Sequence, residues 1–227
     1  ETMSKAFFVT GTDTEVGKTA VGCALLEAAR AAGLRTAAVK PVAAGCDGRG
    51  RNEDALQLQA CMTETMAYSR VNPVALAEPV APHLAAAHEG ITLRVDELAD
   101  LCRDAMAGDA DLVLVEGAGG WRVPLGPRET LADLAATLQL EVILVVGMRL
   151  GCINHALLTA EAIRHDGLTL AGWVANEPGE RMACYAENLD TLRALLPAPL
   201  LGEVPRLSPF DPAVAARSLS LRGIAGA

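Results

Sequence analysis

Nine residues near the start of the chain, GTDTEVGKT from Gly11 to Thr19, leave it few folds to choose from. An apolar run, Phe7 to Thr10, leads into them, and apolar residues at helical spacing, Val21, Leu25 and Ala28, follow. A strand ending at Thr10 would deliver the backbone into a tight turn, where Gly11 and Gly17 admit unusual dihedrals and let amides close on an anion. The helix opening near Gly17 adds about half a positive charge at its N-terminus, with unpaired N–H groups aimed at the same point. Lys18 offers a full charge to nucleotide β- and γ-phosphates, and Thr19 a hydroxyl suited to Mg2+. The loop is a variant, because five residues, Thr12 to Val16, separate its glycines where the usual motif has four. Asp13 and Glu15 are unexpected in an anion site: they must point outward or meet a cation, such as a substrate amine or a purine N–H.

The remaining pattern predicts an α/β fold of the P-loop NTPase type, a parallel sheet with helices on both faces in a single domain. Short runs that are apolar throughout read as strands buried on both faces: Thr36 to Lys40, Leu112 to Val115, Val142 to Val146, Leu170 to Ala175 and Leu200-Leu201. Between them, helical spacing covers Thr19 to Ala32, Asp54 to about Met62, Val95 to Met106, Leu131 to Leu140, Ala156 to His165 and Tyr185 to Leu196. Aromatics make up only 3% of 227 residues, so the core is expected to be Ala, Val and Leu, as close helix–sheet packing requires. Val42 to Gly90 is looser and reads as a cap on the substrate side. The stretch after Pro209 reads as weakly structured. The domain is taken as residues 3–227, with Glu1 and Thr2, ahead of Met3, read as additions.

A formal charge of −9 and the lack of a basic block argue against nucleic acid as a partner. No apolar stretch reaches the roughly 20 residues that span a bilayer, so no membrane partner is expected. The six cysteines are never closer than 15 residues in sequence, which gives neither a C-x-x-C pair nor zinc spacing, and a reducing cytoplasm is the expected location.

Other chemistry gathers where strands end. Lys40 closes a strand before Pro41, at the carboxyl edge where open α/β sheets bind ligands, although a lysine there can also snorkel to solvent. Glu116 follows LVLV and precedes GAGG. A carboxylate facing phosphates calls for a cation, and Mg2+ is the natural mediator; a solvated loop acid is the alternative. Asp54 in RNEDAL is a second candidate ligand, with Glu53 beside it and a plain helix-start acid as competing readings. His83, His88, His155 and His165 lie far apart in sequence and receive no catalytic part.

Together, GTDTEVGKT, KPVAAG from Lys40, VEGAGGW from Val115, LGCINHALLTAEAI from Leu150 and GWVANE from Gly172 resemble the dethiobiotin synthetase family, over Phe7 to about Leu207. The five-residue gap in the loop is also that family's pattern. The resemblance implies an ATP- and Mg2+-dependent ring closure of 7,8-diaminononanoate with CO2, through a carbamate and a carbamic–phosphoric anhydride. It implies catalytic roles for Lys18, Lys40 and Thr12, and Mg2+ on Thr19, Asp54 and Glu116. ATP would also meet Glu15, Val16, Gly17, Gly117, Ala118 and Gly119, with the adenine on Asn176, Pro205, Arg206 and Leu207. Substrate would meet Ala44, where relatives often carry a hydroxyl, and Leu150, Gly151, Asn154 and Tyr185, which a homodimer would contribute across its interface. Lys18 and Lys40 are expected to face ligand space rather than core. The partition and septum-positioning ATPases share the fold but need a lysine early in the loop, where Phe7 to Val16 has none; cobyrinate-type amide synthetases carry a glutaminase domain for which the chain is too short.

Overall fold

The computed structural model describes residues 5–224, so Glu1 and Thr2 lie outside the described residues. Six parallel strands form one sheet: β1 (Lys5–Gly11), β2 (Thr36–Val39), β5 (Leu112–Glu116), β6 (Glu141–Gly147), β7 (Leu170–Asn176) and β8 (Leu200–Val204), in the order β2-β5-β1-β6-β7-β8. β1 is central, pairing Phe7 with Leu114 on one side and Val9 with Ile143 on the other. β2 and β5 are buried along their whole length, which is why they read as unbroken apolar runs.

Helix α1 (Lys18–Ala31) follows the phosphate loop. The looser region holds α2 (Glu53–Cys61), α3 (Tyr68–Val71) and α4 (Pro82–His88), together with β3 (Val42–Ala43) paired to β4 (Val74–Ala75) in a separate small sheet. Further helices are α5 (Val95–Met106), α6 (Leu131–Leu138), α7 (Cys152–His165), α8 (Tyr185–Leu195) and α9 (Pro212–Ala216). Side chains alternate across the sheet, so Ile143, Val145 and Val174 join the main core, while Leu144, Val146, Trp173 and Ala175 form a second one under α7 and α8.

Boundaries differ from the sequence pattern where caps decide them. α7 starts at Cys152 rather than Ala156, because Gly151 takes φ 95° and turns the chain into the helix. The described part of the tail, residues 210–224, is structured, contrary to expectation: the Asp211 carboxylate accepts from the Ala213 and Val214 amides at 2.9 and 3.2 Å to start α9, which packs against α1. A five-residue helix is too short to show a period, and burial of Ala215 and Ile224 is what holds the segment. Of the cysteines, Cys23, Cys102 and Cys152 are buried and Cys184 is exposed.

Candidate active site

Because all six strands run the same way, the loop after β1, Lys40 after β2, Glu116 at the end of β5 and Asn176 at the end of β7 reach one edge of the sheet. The loop is tied to its neighbours at several points. The Thr12 amide donates to the Val145 carbonyl at 3.0 Å, and the Gly147 amide donates to Thr12 Oγ1 at 3.3 Å. Asn176 Nδ2 donates to the Val16 carbonyl at 2.8 Å. Gly17 takes φ 87°, and a Cβ there would run into Asn176 Nδ2, so this position has room only for glycine. Glu15 adopts φ 58°, a left-handed conformation rare for a residue with a side chain, and Val16 behind it is fully buried as an anchor.

Four charged groups meet beside the loop. Lys40 Nζ donates to Glu116 Oε1 at 2.7 Å and lies 3.3 Å from Asp54 Oδ2. Thr19 Oγ1 donates to the same Glu116 oxygen at 2.9 Å. Lys18 Nζ reaches the Asp13 carbonyl at 3.4 Å. The two lysines differ in their electrostatics. Burial pushes the Lys18 ammonium below the ordinary lysine pKa, with Glu116 only partly opposing it. Burial would lower Lys40 as well, but the Glu116 and Asp54 charges beside it prevail and raise it. Lys40 lines the cleft, as expected of a residue facing ligand space, but it is 4% exposed and its charge is already committed to Glu116, which is 1% exposed.

A cleft of about 890 Å3 opens here, lined by Thr14, Glu15, Gly17, Lys18, Thr19, Lys40, Ala44, Asp54, Ala118 and Gly119 among others. The looser region does form one wall of it, through Val80 and its neighbouring prolines. Gly117 is held by its amide to the Val9 carbonyl at 3.0 Å. Asn176 is in register with Val204, so exposed Pro205 and Arg206, and half-buried Leu207, follow at the same edge. Leu150, Gly151, Asn154 and Tyr185 are not among the residues that line this cleft. Leu150 is 94% exposed, whereas Tyr185 is buried and donates its hydroxyl to Glu203 Oε2 at 3.2 Å, under the Arg181 guanidinium. Cys46, near the cleft, is raised by burial above the ordinary thiol range, which leaves it little thiolate.

Sequence reasoning missed Asn52. It is buried, caps α2 by accepting from the Ala55 amide at 3.2 Å, and donates to the Ala44 carbonyl at 3.3 Å, so it fixes both Ala44 and the start of the helix bearing Asp54. The signal was present, since Asn before two acids is an N-cap pattern.

The donor chemistry fits Mg2+. Glu116 Oε2 is buried with no hydrogen-bond partner among the described residues, the Thr19 hydroxyl donates to the other oxygen of that carboxylate, and Lys40 lies against both Glu116 and Asp54. Among the described residues no group of three His, Cys, Asp or Glu side chains could hold a metal. Two carboxylates and a hydroxyl suit instead an ion that keeps waters and shares phosphate oxygens with a nucleotide.

The family described as "AAA domain" matches residues 5–214. An ATP-dependent dethiobiotin synthetase BioD of Pseudomonas aeruginosa (strain UCBPP-PA14) is 58% identical over 220 residues, covering 96% of each chain. The protein of the same name from Cellvibrio japonicus is 57% identical with the same coverage, and BioD 1 of Escherichia coli O157:H7 is 55% identical over 91% of this chain and 92% of its own. Among solved structures, a ParA family ATPase from Chlorobium tepidum matches with a TM-score of 0.55 at 12% identity, over 98% of this chain and 92% of that one. The signal recognition particle receptor FtsY of Elizabethkingia anophelis matches at 0.56 and 16% identity, over 94% and 59%. At such identities these two establish the fold alone.

Proposed function

Since this chain belongs to the ATP-dependent dethiobiotin synthetases, ligases of biotin synthesis that close a ring with ATP, we propose the reaction and the residues that carry it. The substrates are 7,8-diaminononanoate, CO2 and ATP; the products are dethiobiotin, ADP and phosphate. One amine attacks CO2 and loses a proton to give a carbamate. A carbamate oxygen takes the γ-phosphoryl group, releasing ADP. The second amine then attacks the carbamate carbon, phosphate leaves, and the ring is closed.

The observation that carries this reading is the pair of lysines on one cleft wall, with Lys40 seated between two carboxylates. Each step concentrates negative charge on the carbamate and the γ-phosphate. Lys18 and Lys40 supply fixed positive charge there, and Thr12 with the loop amides orients the reacting oxygens. Glu15, Val16, Gly17, Gly117, Ala118 and Gly119 bring the backbone against the nucleotide. Thr19, Asp54 and Glu116 would hold Mg2+, which supplies charge neutralisation at the β- and γ-phosphates when bound. Asn176 has its amide nitrogen committed to Val16, so its carbonyl oxygen is the atom left to accept from the adenine amine, beside Pro205, Arg206 and Leu207. A second copy of the chain is the natural cover for Leu150 and for Leu158, which is 57% exposed, and would carry Leu150, Gly151 and Asn154 to the substrate's carboxylate end, whereas Tyr185 could join them only by giving up its hydroxyl bond to Glu203.

The test is phosphate release by the purified protein with ATP, Mg2+ and bicarbonate, with and without the diamine, alongside mass detection of dethiobiotin. Release that requires the diamine and matches product one for one supports the reading; slow release indifferent to the diamine overturns it. Two further outcomes are expected. Ala44→Ser adds a hydroxyl to the cleft and should lower the diamine KM by about two- to twelvefold with kcat little changed, as a hydrogen bond of about 0.5–1.5 kcal/mol would give; an unchanged KM would mean the added hydroxyl meets no substrate. The alkaline limb of kcat/KM should fall below the ordinary lysine value of 10.5, because burial disfavours the charged form of Lys18 in the free enzyme. A limb at or above that value would separate Lys18 from the pH dependence.

A further inference from the structure

Asp13 is a carboxylate inside an anion-binding loop, and its neighbours account for it. Its Oδ2 lies 2.6 Å from the Arg149 guanidinium, and its Oδ1 accepts from the Thr14 amide at 2.8 Å. Its backbone carbonyl is the acceptor for Lys18 Nζ. Arg149 sits on the turn between β6 and α7, where its amide donates to the Gly147 carbonyl and its own carbonyl accepts from the Cys152 amide, both at 2.9 Å. The cation that Asp13 requires is therefore the protein's own.

We propose that Arg149 is a positioning residue for the nucleotide: it cancels the Asp13 charge and pins the first turn of the loop, so that the phosphates meet Lys18 and the loop amides without an opposing carboxylate. The inference rests on the ATP reading of the cleft. Without the guanidinium, the Asp13 charge would repel the triphosphate, and the loop would lose one of its ties to the end of β6. Asp13 and Lys18 are neighbours in the loop, with the Lys18 ammonium 3.4 Å from the Asp13 carbonyl, so the Asp13 charge lies close to the group that would meet the phosphates. Both partners of the pair are about half exposed, so the effect is several-fold and weakens with salt.

The experiment measures ATP affinity by calorimetry, with steady-state constants, for the unaltered protein, Arg149→Ala, Arg149→Lys, Asp13→Asn and the double variant Asp13→Asn/Arg149→Ala. Arg149→Ala should weaken ATP binding about fivefold, with kcat and the diamine KM within about twofold. Arg149→Lys should stay near wild type. Asparagine keeps the acceptor for the Thr14 amide but removes the charge, so the double variant should recover to within about twofold of wild type. A merely structural arginine would not be rescued by deleting its partner's charge. Wild-type affinity in Arg149→Ala, or a double variant no better than Arg149→Ala, would overturn the inference while leaving the ATP reading intact. Failure of the wild type itself to bind ATP would overturn both.

Discussion

Lys40→Ala is expected to lose turnover and stability together. The ammonium is the charge partner of Glu116, which is 1% exposed and keeps only the Thr19 hydroxyl once Lys40 is gone. Breaking a buried pair from one side typically costs about 3–5 kcal/mol, and an open cleft that admits water favours the lower end. In a domain of this size about 3 kcal/mol corresponds to a Tm lower by roughly 6–12 °C. Turnover should fall by about 10²–10³, the usual loss for one preorganised donor to a developing anion. Adding Glu116→Gln removes the stranded charge, so the double variant should regain most of the Tm and none of the activity. Thermal unfolding and diamine-dependent phosphate release are the two readouts. An unchanged Tm in Lys40→Ala would show that Glu116 does not depend on this lysine, and near-normal turnover would remove Lys40 from the chemistry. The pH dependence has a definite sign. The folded pKa of Lys40 is raised, so its contribution is fully present below the unfolded value of 10.5 and is lost as pH rises through the folded value.

Lys18→Ala should separate the two properties. Turnover is again expected to drop by about 10²–10³, since in the proposed reaction the ammonium would face the charge developing on the γ-phosphate. Stability should hold or rise slightly. The Lys18 pKa is lowered by burial, so folding disfavours its charged form, and that cost is present below the folded pKa and fades as pH rises towards 10.5. Its contact with the Asp13 carbonyl, at 3.4 Å, is too long to offset much. The measurement is the Tm and kcat/KM of Lys18→Ala beside those of Lys40→Ala. A Tm loss as large as that of Lys40→Ala would mean that Lys18 also carries a structural charge.

The difference between the two lysines could not be read from sequence. Lys18 opens α1 behind the phosphate loop and Lys40 follows β2, and the sequence gives each a charge facing ligand space without showing which is paired. Their burial and partners come from β2 and β5 pairing side by side, with Val39 opposite Val115, a contact between residues 76 positions apart. Asp54 likewise had a rival in Glu53 that only the α2 cap at Asn52 resolves, by turning Asp54 towards Lys40. Arg149 carried no motif at all, and it matters because β6 lies next to β1.

What the chain determines by itself is local. Apolar runs of strand length, glycines where the backbone turns left-handed, and the GKT start of α1 specify the strand, loop and helix, because those choices depend on residues within one turn of each other. The family resemblance is likewise written in contiguous motifs. Tertiary structure decided the rest: which carboxylate neutralises which cation, which lysine is held in a buried ion pair, and why α9, too short to hold alone, is fixed against α1. Those outcomes depend on desolvation and on distances between strand ends, and both exist only after the sheet has brought distant segments together.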